Sequence, residues 1–335
     1  MTARSTRSRR RPIAARMLGD AVGLVAIAIA CSGLISRFLP ITNHVMLGAA
    51  ALSPYLMLAA PLAIALFAST RRWLLVAVAV SVAVAAIAVE LPLFVGSNDT
   101  QTQGVRLRVL SVNLKEGEAD AASLVASGRD QADVLSFQEL TPAAVDRLSV
   151  AGIDATFPYR WLDAKPDARG IGIWSRFPLE DTRRFDGYGF AQLSTRVRVT
   201  RTATSTTLLA VHLVGPWPQA IDRWRQDIGQ LPTTLKEVSE RAEGGCVVVA
   251  GDFNATFDMR PFRDLLRDGF RDAAEQSGAG ILRTFPADTA LPALIEIDHV
   301  LTHGCVAASL QTVWVPGSDH RGLIADVVMS RALLH

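Results

Sequence analysis

The chain has 335 residues, half of them hydrophobic, and a formal net charge of +2. That length allows one large domain or two ordinary ones, and the near-neutral balance excludes a globally basic nucleic-acid footprint. The charge is unevenly placed: up to residue 100, nine Lys or Arg face three acids, a net of +6, which leaves −4 for the remainder. A basic, apolar N-terminal segment is therefore joined to a mildly acidic domain.

Crossing about 30 Å of hydrocarbon takes roughly 20 helical residues. Three apolar runs meet that length, at about 18–39, 44–69 and 73–95. Arginines flank them on one side only: TARSTRSRRR precedes the first and Arg71 and Arg72 join the second to the third, whereas PITNH and GSNDTQTQ carry neither Lys nor Arg. Positive residues stay in the cytoplasm, so the third span is expected to exit outward. The expected organisation is a basic cytoplasmic tail over 1–17, three transmembrane helices over 18–96, a flexible linker over 97–104 and an extracytoplasmic catalytic domain over 105–335. This places the protein in the cell (inner) membrane as a multi-pass protein. A cleaved signal peptide accounts for the first run and leaves the other two unexplained.

After the linker, short β-rich runs alternate with helical stretches. RLRVLSVNL, DVLSFQEL, GIGIWSRFPL, AQLSTRVRV, TTLLAVHL, CVVVAGDFN, LIEIDHVLT, ASLQTVWV and LIADVVM read as strands. ADAASLVASG reads as a helix, as does TPAAVDRLSV, opened by Thr141 with Pro142 in the first turn. PQAIDRWRQDIGQLPTTLKEVSERA is helical with Pro232 marking a break or kink, and a further helix is expected near PFRDLLRDG. The pattern predicts layered α/β architecture, sheets buried against helices. Cys246 and Cys305 read first as two buried thiols, with a disulfide outside the cytoplasm as the alternative.

The chemistry shows in what ends the apolar runs. Asn113 closes LSVN, Glu139 closes LSFQE, His212 closes LLAVH, and Asp252 and Asn254 follow VVVA. IEID delivers Asp298, and Asp319 and His320 precede the last strand. Each has an ordinary reading alone: a capped loop for Asn113, a solvated helix entrance for Glu139, a structural histidine for His212, a turn for Asp319 and His320. Their joint occurrence at strand tips predicts one cleft. Strand periodicity would put Asn254 on the face of Asp252, with Phe253 turned into the core.

The segments SVN, QE, VHL, GDFN, IDH and SDH, across about 105–330, resemble the endonuclease/exonuclease/phosphatase superfamily, the metal-dependent phosphohydrolases related to DNase I and neutral sphingomyelinase. With the apolar N-terminal helices the chain most resembles its membrane-anchored VanJ-like and YafD-like members. The resemblance implies a four-layer α/β sandwich of the DNase I type. It implies that Glu139, Asn113 and Asp319 hold Mg²⁺ or Mn²⁺, that Asp252 orients or deprotonates water, and that Asn254 donates to a phosphoryl oxygen. His320 would contact the phosphate, oriented by Asp298, with His212 as a further phosphate or proton-transfer partner. Glu296 stands where the family often has a basic residue, and could weaken anion binding or bind a second metal. Tethering favours a membrane-lipid phosphoester or pyrophosphate, such as an isoprenoid lipid pyrophosphate. A sphingomyelinase-like phosphodiesterase, a nuclease and a non-catalytic membrane receptor or scaffold are the alternatives.

Overall fold

A computed structural model describes residues 13–97, 104–199 and 205–329. Most of the expected cytoplasmic tail and nearly all of the linker lie outside the described residues. The chain divides into two compact units, one of residues 1–39 and 52–90, the other of 40–51 and 91–335.

In the first unit the helices Ile13–Ser36, Ser53–Met57 and Ala59–Thr70 pack together with most of Trp73–Val95. By length and composition Ile13–Ser36, Ser53–Thr70 and Trp73–Val95 can each cross a membrane. Small residues allow close packing there: a Cβ on Gly23 would lie 2.7 Å from the Phe67 ring. Two ion pairs tie the helices together, Arg37–Glu90 at 2.7 Å and Arg72–Asp20 at 2.8 Å.

The second apolar run differs from expectation. Its first part, the helix His44–Ala51, belongs to the second unit, where Ile41, Leu47 and Ala50 are buried in the main core. Apolar composition alone cannot distinguish burial in protein from burial in lipid. The second candidate span accordingly starts at Ser53 rather than near residue 44.

Among the described residues the second unit contains twelve strands: β1 Val105–Asn113, β2 Val134–Gln138, β3 Tyr159–Asp163, β4 Ile171–Ser175, β5 Leu179–Phe185, β6 Gln192–Val197, β7 Thr206–His212, β8 Cys246–Asp252, β9 Arg271–Asp272, β10 Asp298–His303, β11 Val306–Val313 and β12 Gly322–Met329. They form two six-stranded sheets, ordered β11-β12-β1-β2-β4-β3 and β5-β6-β7-β8-β10-β9. Each is centred on a parallel pair, β1 with β2 and β7 with β8, and flanked by antiparallel neighbours. Parallel neighbours need a crossover, supplied by the helices Ala121–Gln131 and Ile221–Arg241.

Strand alternation sorts the core into layers. Along β1, Leu107 and Val109 join the cluster shared with the second sheet, while Leu110 and Val112 face the outer helices. Trp224, Ile228, Leu231, Leu235 and Val238 form one helical stripe, three or four residues apart, that covers the second sheet. This stripe spans Pro232, and of the break or kink expected there the helix Ile221–Arg241 shows no break. Thr141 caps Pro142–Val150 by accepting the Ala144 N–H, as the sequence suggests. Near PFRDLLRDG only the short helix Arg260–Arg263 forms.

Cys246 and Cys305 form a disulfide, with their Cα atoms 5.2 Å apart, which corrects the preference for two thiols. Backbone proximity explains the pairing: a Cβ on Gly304 would lie 2.8 Å from the Gly245 carbonyl oxygen.

Candidate active site

The carboxyl ends of both central strand pairs converge between the sheets. Alternation carries the inner face of β1 from Leu107 and Val109 through Ser111 to Asn113. In the other sheet Asp252 ends β8, flanked in register by His212 of parallel β7 and Asp298 of antiparallel β10. Gly251 makes this spacing possible, since a Cβ there would lie 1.8 Å from the Val211 carbonyl oxygen.

Asn113 bridges the two sheets. Its Nδ2 donates to Glu139 Oε1 at 3.2 Å and to Asp252 Oδ2 at 3.1 Å, while Oδ1 accepts the Lys115 N–H at 2.9 Å. Glu139 Oε2 accepts the Glu116 N–H at 2.6 Å. Glu139 has φ +56°, a left-handed conformation costing about 1–3 kcal/mol for a non-glycine residue. His212 Nε2 lies 3.9 Å from both Glu139 Oε1 and Asp252 Oδ2.

Asn254 reaches Asp252 by a different route from the expected one. Strand β8 ends at Asp252, and Asn254 has φ +49°, so a left-handed turn rather than strand periodicity brings it back. Its N–H donates to Asp252 Oδ1 at 2.8 Å. Its Nδ2 donates to the Leu213 carbonyl at 2.9 Å and to Asp252 Oδ2 at 3.3 Å. Phe253 points into the core, fully buried.

On the far side, His320 Nδ1 meets Asp298 Oδ2 at 2.8 Å, and Nε2 stands 3.9 Å from Asp252 Oδ2. Ser318 accepts the His320 N–H at 2.9 Å and donates to the Asn113 carbonyl at 2.7 Å. Phe285 lies against the imidazole, ring centres 4.9 Å apart. Asp319 is half-buried beside this group.

Electrostatics separate the members. Burial, reinforced by the Asp298 charge, pushes Asp252 up to about 8. Burial also raises Glu139 and Asp319. It pulls the His320 imidazole down, but the Asp298 carboxylate, by charge and hydrogen bond, and Asp252 more than offset this and push it up to about 10. His212 is lowered to about 3 by burial and by the neighbouring His320 charge, so its ring is neutral at physiological pH.

The donor set fits a hard divalent cation. Glu139, Asp252 and Asp319 are carboxylates held above their ordinary range by burial, and oxygen ligands suit Mg²⁺-like ions. Asp252, Asp298 and His320 also bring one ligand atom each within 4.8 Å of one another. His320 is poorly suited as a ligand, because an imidazolium has no free lone pair. Asn113, with Oδ1 engaged by Lys115, serves here as a donor between acids.

Glu296 is buried and tied to the chain that precedes strand β10. Its Oε2 accepts the Leu282 N–H at 2.9 Å, and burial, with the Asp272 charge added, raises it well above its ordinary value. It secures the segment in which Thr284 Oγ1 accepts the Ile297 N–H at 3.2 Å and Phe285 reaches His320.

Sequence reasoning missed Gln192, which accepts the His212 N–H at 2.7 Å and donates to its carbonyl at 2.9 Å. It also missed Phe190, whose ring centre is 4.7 Å from that of His212, and the linking hydroxyl of Ser318. The SDH triplet signalled Ser318; nothing in AQLSTRV marks Gln192.

Two packed sheets with acids, amides and histidines at their joined carboxyl ends define a metal-dependent phosphoesterase or nuclease scaffold. The chain matches the Endonuclease/Exonuclease/phosphatase family over residues 110–320, more than half its length, and belongs to that family. No curated protein matches it. Similar solved structures include an endonuclease/exonuclease/phosphatase from Bacteroides vulgatus, 16% identical with TM-score 0.55, covering 68% of this chain and 100% of that one. D. rerio TDP2 complexed with single strand DNA product is 17% identical with TM-score 0.54, covering 66% and 98%. SmcL is 12% identical with TM-score 0.51, covering 66% and 98%. At these identities the likeness concerns the fold alone.

Proposed function

We propose that this protein is a membrane-anchored, divalent-metal-dependent phosphohydrolase acting on a phosphoester or pyrophosphate of a membrane lipid, such as an isoprenoid lipid pyrophosphate. The observation that carries the reading is the buried convergence of Glu139, Asp252 and the His320–Asp298 pair in a chain bearing three apolar helices. Glu139, assisted by Asp319, would hold Mg²⁺ or Mn²⁺. A cation there neutralises phosphate charge and stabilises the leaving oxygen.

Asp252 orients a water and takes its proton, a role suited to a carboxylate titrating near neutral pH. As the water oxygen bonds to phosphorus, the bond to the leaving oxygen breaks, and no covalent enzyme intermediate is needed. His320, held as imidazolium by Asp298, presents Nε2 to a phosphoryl oxygen in the 3.9 Å gap facing Asp252. His212, being neutral, hydrogen-bonds rather than supplying charge. Asn254 fixes Asp252 first; its donation to phosphate requires the longer 3.3 Å bond to yield.

The disulfide supports an oxidising compartment, in keeping with an extracytoplasmic catalytic unit. A nuclease or phosphodiesterase is the second reading, favoured by the DNA-bound structural neighbour and opposed by the −4 charge beyond residue 100. The test is Mg²⁺-dependent phosphate release from an isoprenoid pyrophosphate by the detergent-purified full chain, wild type against Asp252→Ala, with nucleotide and DNA substrates in parallel. Wild-type release with at least a hundredfold loss in the variant is expected. If both are equally inert on every substrate, the enzyme reading fails; cleavage of DNA alone selects the nuclease.

A further inference from the structure

The loop after His212 is braced from outside the two sheets. Between the first and second apolar helices, Asn43 accepts the Val45 and Met46 N–H groups, each at 3.0 Å, and so caps the helix His44–Ala51. From its first turn, His44 Nε2 lies 3.0 Å from the Pro216 carbonyl and 3.1 Å from that of Gln219. Both are acceptors, so Nε2 carries the hydrogen. The imidazole stands edge-on to Trp217, ring centres 4.9 Å apart. The braced loop borders the candidate active site, since Asn254 bonds to Leu213 at its start.

What this brace presents is apolar. Trp217 is 68% exposed and Val45, the residue after His44, is 82% exposed. Residues 40–51 contain no Lys, Arg, Asp or Glu. Only Leu52 separates this helix from Ser53, where the next apolar helix begins, and two residue steps span at most about 7 Å. The eight-residue helix itself adds about 12 Å. The catalytic unit is also bound at the end of the third apolar helix, where Gly280 donates to the Leu93 carbonyl at 2.8 Å and Ser97 to that of Gln276 at 3.0 Å. Tryptophan favours the interface between headgroups and hydrocarbon, where its ring is buried and its N–H stays wet.

We propose that Trp217, held by His44, is the bilayer-interface contact of the catalytic unit, seating the 213–219 rim on the headgroup layer of the membrane that this chain's own helices span. The inference rests on the membrane-lipid reading above and explains how a lipid phosphate would reach a site on so short a reach. With Mg²⁺ present, the full-length protein is reconstituted into phosphatidylcholine vesicles that contain an isoprenoid pyrophosphate and carry a nitroxide either near the headgroup or deep in the acyl chains. Subtracting the emission of Trp217→Phe from that of wild type isolates Trp217 among the six tryptophans. Its emission is expected to be quenched at least twofold more by the shallow label than by the deep one. His44→Ala should at least halve that preference, and His44→Gln, which keeps a donor, should restore most of it. No quenching by either label, or stronger quenching by the deep one, overturns the proposal. Quenching without phosphate release from the same vesicles would refute the lipid substrate and leave the contact standing; release without quenching would do the reverse.

Discussion

Breaking the Cys246–Cys305 disulfide should unfold the catalytic unit at markedly lower temperature. The bridge joins residues 59 apart in sequence, and the chain-entropy relation gives about 4 kcal/mol for closing a loop of that length. For a domain of this size each kcal/mol moves Tm by roughly 2–4 °C, so the double variant Cys246→Ser/Cys305→Ser should lose about 8–16 °C. The assay is thermal unfolding of the detergent-purified full chain, as isolated, after reduction, and in the double variant. Thiol counting gives an independent readout: alkylation in intact membranes should find one free thiol, Cys31, and three after reduction. Three thiols before reduction, or a transition indifferent to both reduction and substitution, would refute the reasoning and remove the support for an oxidising compartment.

Glu296→Gln should flatten the pH dependence of stability. Burial and Asp272 raise the folded-state pKa, so the native state keeps a proton that the unfolded chain releases above about 4.3. That stability is full below the unfolded pKa and is lost as pH rises, by about 1.4 kcal/mol per unit until the folded value is passed. Unfolding midpoints at pH 5 and 8 should therefore diverge more for wild type than for the variant, and equal slopes would sink the assignment. Glu139→Gln should raise the Mg²⁺ concentration for half-maximal activity by at least tenfold, read in the phosphate-release assay after chelator treatment; an unchanged requirement would place the cation elsewhere.

Much of the site was readable because unusual residues interrupt usual ones. An acid or amide ending a run such as CVVVA is conspicuous, and Asn113, Glu139, His212, Asp252 and Asp298 do stand together at strand tips. Asn254 returns to Asp252 through a left-handed turn, which leaves no strand periodicity to read. Gln192 and Phe190 act by holding His212, and their residue types are common in strands. The helix His44–Ala51 was misassigned because HVMLGAAA satisfies core and bilayer alike. The cysteines lie 59 positions apart, and only the approach of the turns around Gly245 and Gly304 decides that they meet.

The pairing of β1 with β12 has a consequence for how the protein is made. Val105 lies opposite Met329, so the first strand after the apolar helices waits for the last one before its sheet can close. Contacts so distant in sequence form late. His320 precedes that final strand, and its partner Asp298 opens β10. Until both Asp298 and His320 have been synthesised, the pair they form facing Asp252 cannot assemble, so the proposed site is incomplete on the nascent chain.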